Sequence, residues 1–107
     1  MSLDIYLSVV QREDIYSTNI THNLTPMAKA AGLYAPLWRP EECGIISAEQ
    51  LADAIRPGYI ELRNNREKYE KFEPTNGWGS YPNFLKFVSA LLLKCEEHPE
   101  ADVTCSR

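Results

Sequence analysis

Apolar and polar positions alternate at the start of the chain. Ile5, Leu7 and Val9 fall on one side of an extended backbone and Tyr6, Ser8 and Val10 on the other, which predicts a strand over Leu3 to Val10. Gln11 to Asp14 reads as a polar turn, and Ile15-Tyr16-Ser17 as an extended approach to the next polar run, with a short return strand as the alternative. Ala101 to Cys105 alternates again and predicts a final strand.

Between these ends the apolar period changes to that of helices. Thr25-Pro26 supplies a capping residue followed by proline at the first helical position, and Gly32 stands where a helix would stop, so a two-turn helix is expected from Pro26 to Ala31. Leu33 to Pro40 carries two prolines among bulky apolar residues and is expected to wrap the core as an ordered, non-regular connection. Ser47-Ala48-Glu49-Gln50 is a capping box, followed by Leu51, Ile55, Tyr59 and Leu62 at helical spacing. That helix should run from Ala48 to about Asn64, with a kink or break near Arg56, because an interior proline such as Pro57 costs about 3 kcal/mol.

Tyr69 and Phe72 are expected to dock a short helical turn within Arg66 to Thr75. The clearest helix starts at Ser80 or Tyr81, has Pro82 in its first turn, buries Phe84, Phe87, Val88, Leu91, Leu92 and Cys95, and ends before Pro99. Strands at both ends with helices between them predict a small α+β domain spanning residues 1–107, its terminal strands pairing in an antiparallel sheet with about three helices packed on it.

Composition narrows the function classes. Hydrophobic residues at 44% and charged residues at 24% fit an ordinary globular protein. The longest apolar run, Ala90 to Leu93, falls far short of the roughly 20 residues that span a bilayer, so no membrane partner is expected. Neither a basic region nor an apolar stretch follows Met1, and the odd cysteine count argues against a disulfide framework; a cytoplasmic location is the default. The three thiols, Cys43, Cys95 and Cys105, are expected to be buried and free. A net charge of −4 with scattered Lys and Arg disfavours nucleic acid as a partner.

Candidate chemistry gathers at two polar runs. Asn19-Ile20-Thr21-His22-Asn23 is dense in hydrogen-bonding groups and reads as the entrance to the first helix; Asn76-Gly77-Trp78-Gly79 opens the last one, so the two entrances could lie side by side. His22 is the natural acid or base, but no neighbouring carboxylate in the sequence would orient it. The plainer role is that Thr21, His22 and Asn23 pin the chain and satisfy open helix amides. Trp78 between two glycines could cover a ligand or cap the core. Arg39 beside Trp38 could clamp an anion, or pair with Glu41 or Glu42. Cys95 and His98 are spaced as two metal ligands, but Cys95 lies on the apolar stripe and no second pair exists, so no metal and no cofactor are expected.

Asn19 to Leu24, Gly32-Leu33-Tyr34, Leu37 to Glu41, Asn76 to Gly79 and Ser106-Arg107 together resemble a family of small uncharacterised proteins from bacteriophages and bacteria. The resemblance covers nearly the whole chain and implies no activity, substrate or catalytic residue; Pro57 departs from the more continuous middle helix that its pattern implies. The leading expectation is a non-enzymatic binding protein, of the kind of a phage accessory factor, that captures a small polar or anionic ligand among Asn19, His22, Asn23, Trp38, Arg39, Asn76 and Trp78. The alternatives are a factor that inhibits or adapts a host protein, and a small hydrolase with His22 as base.

Overall fold

The computed structural model describes residues 2–9 and 13–107. Three strands, β1 (Ser2–Val9), β2 (Glu13–Thr21) and β3 (Asp102–Ser106), form an antiparallel sheet in the order β2-β1-β3. Five helices lie between β2 and β3 in the chain: α1 (Thr25–Ala30), α2 (Tyr34–Trp38), α3 (Ala48–Asn64), α4 (Arg66–Glu70) and α5 (Tyr81–Glu97). The α+β class and the pairing of the terminal strands are as the sequence predicts, while the helices number five rather than about three. Of the turn expected over Gln11 to Asp14, Gln11 and Arg12 lie outside the described residues, as does Val10.

The sheet has one buried face and one polar face. Leu3, Ile5 and Leu7 of β1 are fully buried, and directly opposite them on the same face stand Ile20, Thr18 and Tyr16 of β2. Asp4, Tyr6, Asn19, Ser17 and Thr104 occupy the other face. Here the structure corrects two expectations. Ile15 to Ser17 belongs to a full strand, and the strand continues through Asn19, Ile20 and Thr21, so only His22–Leu24 turns, as a short 3-10 segment, into α1. The register with β1 gives these residues their conformation: Tyr16, Thr18 and Ile20 supply the period-2 face, and a shift between Leu7 and Ser8 sets off the first residues of β2.

The proline-rich segment is also more regular than expected. Pro36 sits in the first turn of α2, where its missing N–H removes no intrahelical bond, and Pro40 opens a second 3-10 turn only after α2 has ended. In α3 the helix runs unbroken past Pro57. Pro57 lies on the solvent side with Asp53, whose carbonyl loses its bonding partner to the proline ring, and water on that side can replace the missing donor.

The start of α3 ties the helices to the sheet. Ser47 Oγ accepts from the Gln50 amide, and Gln50 Oε1 accepts from the amides of Ser47 and Ile46. The first two helical amides, of Ala48 and Glu49, donate to the carbonyls of Ala101 and Pro99. Ser47 also bridges Asp102, and the Val103 amide donates to Ile46, so the outer edge of β3 is covered at its start.

Helix α3 packs on α5 through Leu51, Ile55 and Leu62 against the predicted α5 stripe, all of it buried. The hydroxyl of buried Tyr81 donates to the Leu62 carbonyl at 2.6 Å, and that of buried Tyr69 donates to Glu61 at 3.1 Å, so both phenols enter the core with their polar ends paired. Phe72 packs its ring on Tyr69 as expected, with 6.4 Å between centroids, but stays 38% exposed.

Gly58 is where α3 meets the α1–α2 connection. A Cβ there would stand 2.6 Å from Leu33 Cδ2 and 2.8 Å from the Ala31 carbonyl oxygen. Gly58→Ala therefore forces backbone apart, and the overpacking cost of about 1–3 kcal/mol exceeds the gain in helix propensity of at most about 1 kcal/mol. A lowered urea midpoint with an unchanged slope is the expected outcome; an equal or higher midpoint would show that the contact relaxes freely.

Candidate functional site

The end of β2 delivers His22 to a corner shared with α2. Thr21 caps the 3-10 turn, its Oγ1 accepting from the Asn23 amide at 3.3 Å, while Thr25 Oγ1 donates to the His22 carbonyl at 2.6 Å. These bonds fix the backbone on both sides of the imidazole. Into that corner comes Trp38, only 2% exposed, whose indole N–H donates to His22 Nδ1 at 2.8 Å. An Nδ1 that accepts leaves the ring proton of the neutral imidazole on Nε2.

Trp38 collects further partners. Tyr34 stacks on it at 5.7 Å between ring centroids, and Lys29 lies over the Tyr34 ring. The Trp38 carbonyl accepts from Arg107 at 2.8 Å, and Arg107 pairs with Glu41 at 2.6 Å. Its own backbone amide, with Arg107 adding to the effect, holds the Glu41 carboxyl below the usual range. Pro40, Ile45, Val103, Thr104 and Cys105 complete a cavity of about 450 Å³ beside this pair. Arg107 and Trp38 stand 69 positions apart in the chain, so no local sequence pattern joins them.

Arg39 pairs with Glu42 at 3.4 Å, one of the two carboxylates beside it in the sequence, and a side-chain hydrogen bond with Tyr34 raises its pKa. The two polar runs do lie side by side. Gly79, with φ at +117°, packs so closely on Thr21 and Leu24 that a Cβ would stand 3.0 Å from a side-chain carbon of each. In the same turn Asn76 Oδ1 accepts from the Trp78 amide at 2.9 Å, and Gly77 adopts φ +78°. Trp78 itself is 70% exposed.

The seven candidates therefore divide. His22 and Trp38 bind each other, Arg39 is paired with Glu42, and Asn76 holds the turn that presents Trp78. Asn23 contributes its backbone to the corner, and Asn19 stands opposite Asp4 on the polar face of the sheet.

The thiols divide as well. Burial pushes Cys95 up to about 12 and raises Cys105, whereas Cys43, expected to be buried, is exposed. Among the described residues no three His, Cys, Asp or Glu side chains are grouped so as to hold a metal ion, and no helix is long and apolar enough to cross a membrane. Comparison with known proteins gives no match to a family model, a curated protein or a solved structure.

Two outcomes follow from this geometry. His22→Ala leaves the buried indole N–H without its acceptor and is expected to cost about 1–3 kcal/mol, read from urea unfolding, with His22→Gln recovering part of it. Equal losses in the two variants would deny the bond its role. Iodoacetamide at pH 8, followed by peptide mass spectrometry, should label Cys43 in the native protein and Cys95 only after unfolding, because a thiol at about 12 is almost entirely protonated. Labelling of native Cys95 at the rate of Cys43 would contradict its burial.

Proposed function

We propose that the chain is a non-enzymatic interaction protein that holds another protein through a patch centred on Trp78. One observation carries the reading: a tryptophan 70% exposed on a turn fixed by Asn76 and by two glycines with positive φ. Tryptophan is among the residues most enriched at the energetic centres of protein interfaces, and a turn held in advance reduces the ordering cost of binding. An accessory factor of the kind that phages encode would fit such a role.

Two other readings have less support. A small anionic ligand in the cavity beside Arg107 would have to compete with Glu41 and the Trp38 carbonyl for the guanidinium. Hydrolysis with His22 as base would need a free ring nitrogen, but Nδ1 accepts from Trp38, and Nε2 then carries the proton.

The test is affinity capture from lysate of the source cells with the wild-type chain and with Trp78→Ala, whose exposed position leaves the core untouched. A specific partner should bind the variant about 30-fold more weakly, the loss of a hot-spot residue worth about 2 kcal/mol. Capture of the same proteins at equal affinity would overturn the reading. A small molecule retained in native mass spectra of the purified chain would turn it towards the ligand reading.

A further inference from the structure

We infer that the open edge of β2 and the adjoining cleft against α5 receive an extended acidic segment of the partner as a fourth strand. The inference rests on the interaction reading above and names the chemistry of what that interaction recognises. β2 is hydrogen-bonded to β1 on one side only, whereas the outer edge of β3 is covered at its start, where Ser47 bridges Asp102 and the Val103 amide donates to Ile46. Among the described residues, β2 thus carries the longer open row of backbone donors and acceptors in the sheet, the template on which an extended segment adds.

A cleft of about 380 Å³ runs beside that edge, with Thr18 and Ile20 of β2 and Asn83, Lys86, Phe87 and Ala90 of α5 among its walls. Thr18 and Ile20 share the helix-facing side of the sheet with Ile5 and Leu3. Residues of an added strand that stand opposite them would also point towards α5, at every second position. One such side chain meets the apolar floor of Phe87 and Ala90, and the next along the strand meets Lys86.

Charge selects the occupant. Lys86 is the one charged residue that lines the cleft, is exposed, and has no carboxylate partner among the described residues. On a chain of net charge −4, an acidic segment is attracted at this position and repelled over much of the remaining surface, which sets both site and register. The edge itself leads towards the Trp78 turn. β2 ends at Thr21, against which Gly79 packs, and α5 begins at Tyr81, so a strand laid along β2 towards Thr21 approaches the turn that carries Trp78.

The probe is a displayed library of random linear 12-residue peptides selected on the full chain, with affinities of the enriched peptides measured by fluorescence anisotropy. Enriched peptides should carry an apolar residue and an Asp or Glu two positions apart, on one face of an extended strand, and should slow hydrogen exchange at amides between Ser17 and Thr21. Lys86→Glu, an exposed substitution, should weaken them about tenfold or more, and peptides with the acid changed to Lys should regain binding to that variant. Failure to enrich any peptide, enrichment without acidic residues, or affinities unchanged by Lys86→Glu would overturn the inference. So would sedimentation that shows a second copy of this chain on the edge. Loss of binding with Trp78→Ala but not with Lys86→Glu removes this inference alone; loss with neither removes the interaction reading as well.

Discussion

Burial of the Trp38 indole is the constraint around which the rest of the molecule is arranged. An indole taken out of water needs an acceptor for its N–H, and the chain supplies one from 16 positions away, His22 at the end of β2. The same residue offers its carbonyl to Arg107, which follows β3. The corner after β2, the short helix α2 and the end of β3 are therefore held at one side chain. Leu24, Met27 and Leu37 fill the core around that junction. The bond from Trp38 also decides what His22 can do, since an imidazole committed to the core as an acceptor is poorly placed for proton transfer.

The two edges of the sheet are treated differently, and the difference traces to the capping of α3. The carbonyls that follow α5 satisfy the first amides of α3, and this brings Ile46 and Ser47 against the start of β3, at Asp102 and Val103. Nothing equivalent follows β2, because the chain leaves it directly into the Thr21-capped turn and α1. An uncovered strand edge is a hazard for a monomer unless its neighbours restrict what can pair with it. Here an exposed lysine stands beside the edge, and the register shift near its start bends the strand.

Much of this fold was legible along the chain because the relevant signals are local. β1, β3, α3 and α5 announce themselves through period and capping, and the Ser47–Gln50 box forms with both of its reciprocal bonds. β2 was not legible, since Thr18 counts as polar yet faces the helices, and the run from Asn19 to Thr21 looks like a helix entrance unless β1 lies beside it. The prolines misled for a related reason. Their effect depends on position within a turn and on which side of a helix meets water, and only packing decides either. At the site, the contiguity of the two polar runs was visible as a possibility, but the bond from Trp38 to His22 and the reach of Arg107 join distant positions and leave no local trace. Lys86 looks like any solvated helix residue until the open edge beside it is known.

The Asn76–Gly79 turn is the one place where local order does not serve the core. Its bonds and its two left-handed glycines restrict the chain, and ordering a residue's backbone costs about 1–2 kcal/mol, yet the side chain so positioned is an indole left 70% in water. Gly79 accounts for part of the restriction, because its close approach to Thr21 and Leu24 seals the core there. It does not account for Trp78, since a smaller or polar residue at that position would allow the same seal. Exposed apolar surface is stabilised only when something covers it, at about 25 cal/mol for each Å² removed from water. In the proposed complex, an indole already held in place would meet its partner with little entropy left to lose.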